Sequence, residues 1–277
     1  MKHLKENMEG QVLLITLLVL TIASTVALSL IGRSTTDVSM STTLEESARA
    51  FHAAEAGIED ALNTGSSGPH TLSSGVSYTV TTNTIGGEAS VYQFPKETPA
   101  GSVETLWLVN HNPDSTLQEV PTYTGSSLTI CWSSESVTPA IVGNIYYKQS
   151  PSGSYQVARV AYDPDISRVA SNNFTSVGAP TGGCGQPGYY EAAIIFGSLG
   201  ISPAVDTLLA LRIRPEYSDA SVAVDPGSAI LPNQGSVIES TGTTQSGTSR
   251  KVIVYQQYRT PASILDSVVY SQSMFGH

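Results

Sequence analysis

Positive charge is scarce in this 277-residue chain: 13 Lys and Arg stand against 23 Asp and Glu, for a formal net charge of −10. Binding to a phosphate backbone by counterion release needs grouped cations, so the composition argues against nucleic acid as a partner. Only two cysteines occur, Cys131 and Cys184. That excludes a disulfide-framework miniprotein and a zinc site built of four thiolates. The five histidines, His3, His52, His70, His111 and His277, lack the short spacings of metal ligands. There is no G-x-S-x-G elbow and no G-x-x-x-x-G-K-[ST] loop. The run Gly183-Cys184-Gly185-Gln186-Pro187-Gly188 spells G-x-G-x-x-G, but it carries a Pro and precedes a strand-like segment rather than a helix. Asp163-Pro164-Asp165 and Asp225-Pro226-Gly227 read as turns, and the sequon Asn173-Phe174-Thr175 marks an exposed loop. No cofactor is called for, and no enzyme is expected.

What the chain does have is a long apolar opening. From Gln11 to Ile31 no residue is charged, and at 1.5 Å per residue about 21 residues cover the hydrocarbon core of a bilayer. A cleaved secretory signal would have a shorter core of about 7 to 15 residues and a small-x-small site, whereas this run leads into Ile31-Gly32-Arg33. Lys2 and Lys5 precede the run and the region after Arg33 is acidic. The positive-inside rule then places the N-terminus in the cytoplasm and residues 33 to 277 outside, as a single-pass protein.

Helical patterning continues past the bilayer edge. Leu44, Ala48, Phe51, Ile58 and Leu62 recur at spacings that share one helix face, and Asn63-Thr64-Gly65 supplies a stop. Joined to the span, residues 11–62 would form one rod of about 78 Å. It could serve as an anchor with a stalk, or as a spine that leaves lipid to pack against related helices.

A short basic leader ending in Gly10, the apolar stretch directly after it, and the run Ala50-Phe51-His52-Ala53-Ala54-Glu55-Ala56-Gly57-Ile58-Glu59 resemble the start of type IV pilin-like proteins. The resemblance is to minor pilins or pseudopilins with a PilX-type N-terminus. It implies that residues 1–10 are a class III leader removed by prepilin peptidase between Gly10 and Gln11. It also implies that residues 11–62 are an assembly helix, with Val12, Leu13, Leu14, Ile15, Leu17, Leu18, Phe51 and Ile58 among its packing residues. The implied partners are other pilin subunits, the pilus assembly platform, the peptidase and the bilayer. Two positions depart from the common pattern: Gln11 stands where most members have Phe, and Ile15 stands where most have a glutamate that pairs with a neighbouring subunit's amine. A subunit at the tip or in an initiation complex would not need that pair.

After residue 62 the composition shifts. Residues 63–75 are rich in Gly and Ser, and beyond them short β-branched or aromatic runs alternate with turn residues, as at 76–80, 105–109, 128–132, 141–147, 155–162, 192–196, 208–213, 222–224 and 251–258. The fold class expected is α+β: a long N-terminal helix followed by a β-rich pilin-like head. Residues 63–94 supply a linker and the first pilin-like strands, residues 95–230 an inserted β-sandwich-like module, and residues 231–277 the closing strands. In an oxidising compartment a bridge between Cys131 and Cys184 is the preferred reading, with two free buried thiols the alternative. Alternatives to a filament subunit are a membrane-anchored adhesin that binds a glycan or protein at the surface, and an anchored hydrolase. Thirteen tyrosines are compatible with surface contacts and equally with strand packing.

Overall fold

The computed structural model of the chain describes residues 8–72, 75–112, 114–133 and 136–262. The leader positions Lys2 and Lys5, and the end of the closing segment from residue 263, lie outside the described residues. In chain order the elements are α1 (Met8–Thr64), β1 (Gly68–Thr71), β2 (Ser77–Gly86), β3 (Tyr92–Gln93), β4 (Glu104–Trp107), β5 (Val109–His111), β6 (Leu117–Thr122), β7 (Ser127–Trp132), β8 (Ala140–Gln149), β9 (Ser154–Asp163), α2 (Ile166–Asn172), β10 (Thr175–Ser176), β11 (Tyr190–Ile195), β12 (Thr207–Glu216), β13 (Val222–Asp225), β14 (Asn233–Thr243) and β15 (Ser249–Gln257). They form an α+β protein in two compact units, Met1–Thr81 with Ile238–Val254, and Thr82–Val237 with Tyr255–His277.

The first unit is built on α1, which has no proline anywhere along its 57 residues and reaches about 85 Å at the α-helical rise. It ends where Gly65 takes a left-handed φ of 70° and donates its N–H to the Ala61 carbonyl at 2.9 Å. That is the geometry for which a glycine is favoured after the last turn. A four-stranded sheet of order β1-β2-β14-β15 supplies the apolar partners of the helix. Ala53, Ile58 and Ala61 pack with Tyr78, Val80 and Ile238.

The second unit is a sandwich. A five-stranded sheet has the order β10-β9-β8-β12-β4, and a four-stranded sheet the order β11-β7-β13-β3. One buried cluster takes Leu106, Ile141, Ile145, Leu208, Leu211 and Ile213 from the first and Tyr92, Leu128, Ile130, Trp132, Ile194 and Val224 from the second. Face-to-face packing of this kind requires side chains to alternate in and out. β11 does so without exception, its Tyr190, Ala192 and Ile194 buried and the residues between them exposed. Cys131, within β7, is bonded to Cys184 in a short turn at Gly183–Gly185, with Cα atoms 5.9 Å apart. The glycine-rich run is thus a turn closed by this bond, with strand β11 after it.

Within the Gly/Ser-rich residues 63–75 lies β1, which pairs antiparallel with β2. There His70 stacks on Tyr78 at 5.1 Å, and this pairing holds a segment whose own composition favours no strand. The region after residue 62 also contains a helix, α2, for which no apolar period exists. Its first turn is capped by Asp165, whose carboxylate accepts from Ser167 N–H at 3.0 Å. Asp163, fully buried, is satisfied by Arg168 at 2.7 and 3.0 Å and by Asn172 at 2.8 Å. The Asp-Pro-Asp sequence is therefore a turn and cap, and no cluster of ligating residues able to hold a metal occurs among the described residues.

Candidate functional site

The candidate site is the helix itself, whose two halves present different surfaces. In the first half Val12, Leu13, Leu14, Ile15, Leu17 and Leu18 are all exposed, Ile15 by 57%. Among the described residues, none from 11 to 40 is buried within the chain. Its polar side chains are neutralised locally: Thr16, Thr21, Ser24 and Thr25 each donate to a carbonyl three or four residues back at 2.8 to 2.9 Å. Hydroxyls satisfied in this way need neither water nor a partner, so the segment presents a surface compatible with hydrocarbon. By length, composition and exposure it is a helix long and apolar enough to cross a membrane once, which suggests a single-pass anchor.

The second half docks through small residues. Ala50, Ala53, Ala54, Gly57, Ile58 and Ala61 are buried, at the 3-1-3-1-3 steps that trace one helix face. Two glycines set how closely helix and sheet approach. A Cβ on Gly57 would fall on Ser240 Oγ and lie 2.7 Å from the Tyr78 ring. A Cβ on Gly242 would fall on the Ala50 carbonyl oxygen and lie 2.6 Å from the Ala54 nitrogen. The helix and β14 therefore meet nearly backbone to backbone. Polar bonds fix the register: Ser246 donates to Glu46 at 2.7 Å, and Arg250 donates to Ser47 at 2.7 Å. Hydrogen bonds from Thr244 and Ser246 hold the Glu46 carboxyl below its usual range. At the far end Asp60 accepts from Ser66 at 2.5 Å and from Tyr78 at 3.0 Å, and these bonds lower its pKa.

The apolar face read from the sequence is thus not the face that docks. Leu44 is 66% exposed, Phe51 43% and Leu62 49%, and Ala48 is exposed too; of that set Ile58 alone is buried. Ile58 packs within its own unit, whereas Phe51 stays uncovered. Large side chains dominate any hydrophobic period, while close approach of two backbones selects Ala and Gly, which contribute little to it. Gly10 and Gln11 lie on the first turns of α1, with Gln11 exposed.

Residues 9–59 match the family described as PilX N-terminal. No curated protein and no solved structure gives a significant match. The matched segment contains the apolar half, most of the docked Ala and Gly face, and the exposed Phe51.

Proposed function

We propose that this chain, whose residues 9–59 match the PilX N-terminal family, is a type IV pilus-related pilin with the role of a minor pilin. Its spine would reside in the bilayer until it joins a filament or the complex that initiates one. The observation that carries the reading is the continuity of α1: one unbroken helix whose first half is wholly exposed and apolar and whose second half is rooted in the head. An exposed surface of that size needs either lipid or neighbouring helices. Leu44, Phe51 and Leu62 extend it alongside the docked face, where a neighbouring subunit's helix would cover them. Prepilin peptidase would remove residues 1–10, leaving Gln11 as the new N-terminus.

Ile15 supports a position at the tip. An apolar residue there gives no carboxylate for the amine of another subunit, and a charge pair in low dielectric would be lost at that joint. The head would lie outside the cytoplasm, where Cys131 and Cys184 can oxidise. Mass spectrometry of the protein from native membranes and from sheared surface material tests the proposal. The expected finding is a chain beginning at Gln11 in both fractions. A chain that retains Met1 to Gly10 in cells with active prepilin peptidase overturns it.

A further inference from the structure

The second unit contains a cleft of about 530 Å³ that the spine does not use, within the range of about 300 to 1,000 Å³ of ligand sites. Three chain segments form it: His111, Asn112 and Ser115 of the β5–β6 hairpin, the start of β14 at Asn233, Gly235 and Ser236, and the end of β15 with the residues after it, Gln256 to Arg259. Gly235, at φ 136°, lets β14 approach β15 closely, since a Cβ there would fall on the Gln256 carbonyl oxygen.

Charge separates this lining from the rest of the chain. In a protein of net charge −10 the cleft has no Asp or Glu among the described residues that line it, and Arg259 among them carries a fixed positive charge. Arg259 is exposed and has no ion pair among the described residues. Around it stand neutral amides, several held in place by internal bonds. Asn112 donates to Thr116 at 2.9 Å, Asn233 accepts from Gly235 N–H at 2.9 Å, and Gln257 donates to Tyr92 at 3.1 Å. Each of these amides keeps a second polar atom for a ligand. An aromatic wall completes the cleft. Tyr258 stacks on His111 at 3.8 Å, and Trp107 meets the same imidazole edge-on at 4.6 Å. His111 Nδ1 is buried without a hydrogen-bond partner among the described residues. Burial lowers the His111 pKa, which keeps the ring neutral near pH 7.

We infer that this cleft binds a carboxylated saccharide. The amides would take its hydroxyls, the Tyr258–His111 stack would lie against a ring face, and Arg259 would take the carboxylate. A lining with an arginine and no carboxylate among the described residues disfavours a cation, and a carboxylate adds a charge-assisted bond to Arg259 that a neutral sugar does not make. An arginine fork matches a carboxylate with two parallel bonds.

The test is a titration of the full-length protein in non-ionic detergent with tetragalacturonate and with its fully methyl-esterified form, read by calorimetry at physiological ionic strength. The acid is expected to bind about tenfold more tightly than the ester, as loss of one charge-assisted contact implies. Arg259→Gln should erase the difference between acid and ester, and Arg259→Lys should restore part of it. Unchanged thermal melting of both variants shows that the fold is intact. Equal affinity for acid and ester, no binding of either, or an undiminished preference in Arg259→Gln overturns the inference. None of these outcomes depends on leader removal or filament entry.

Discussion

Gly57 and Gly242 hold the helix and β14 at nearly backbone separation, yet they tolerate change to different degrees. Beside Gly242 the obstructing atoms include main-chain atoms of Ala50 and Ala54, which cannot move without displacing the helix. Beside Gly57 they are the side chains of Ser240, Tyr78 and Val80, and alanine there also regains about 1 kcal/mol of helix propensity. Gly242→Ala should therefore destabilise by about 3 kcal/mol, the upper end for overpacking, and Gly57→Ala by clearly less. Urea unfolding of the full chain in detergent distinguishes them; equal losses would show that the backbone contact at Gly242 is not limiting. Phe51→Ala, at an exposed site, should change stability by no more than about 0.5 kcal/mol. It should instead lower incorporation into filaments, read as the ratio of sheared to membrane-bound protein. The sequence makes Phe51 and the Ala/Gly run visible as residues. It does not say which of them faces the sheet, because alanine carries little hydrophobic signal and the helix meets β14 across a long stretch of intervening chain.

At the scale of elements, α1 and most strands are legible because each has its own period: an uncharged run leading into a helical pattern in α1, and in-out alternation in strands such as β11. β1, β3, β6 and β10 are not legible. β3 and β10 have two residues each, β6 includes Pro121, and β1 lies in a Gly/Ser-rich stretch. Such segments become strands because a partner supplies the hydrogen bonds, which no local pattern records. The end of α1 gives a pH prediction. Asp60 has a lowered pKa because Ser66 and Tyr78 donate to its charged form. Its contribution is therefore complete above the unfolded value of about 3.9 and disappears as pH falls from there towards the lower folded value. Asp60→Asn should flatten the acid limb of thermal stability below about pH 4 and leave the neutral range without this pH dependence; an unchanged acid limb would mean the carboxylate is not linked to folding. The bond between β7 and the Gly183–Gly185 turn closes a separation of 53 residues. In the chain-entropy picture its loss costs about 4 kcal/mol, so Cys131→Ser/Cys184→Ser should unfold at correspondingly lower urea, and a midpoint equal to the parent's would contradict this.

For the molecule as a whole, the uncovered apolar half of α1 controls where the chain can stay dissolved. Full-length protein should resist carbonate extraction from membranes, and a chain beginning at Gly32 should be released into the aqueous fraction. Persistent membrane association of the shorter chain would place the anchor elsewhere. The sequence alone determined the long apolar run, its continuation as a helix, the β-rich character of the region beyond residue 62 and the PilX-type start, because each is written in contiguous residues through length, charge and period. Tertiary structure alone decided which helix face is buried, how the strands pair into sheets, and the cleft at His111, Asn233 and Arg259. Those features come from residues brought together across long separations, and they depend on shape and close approach, which a local pattern of hydrophobicity does not encode.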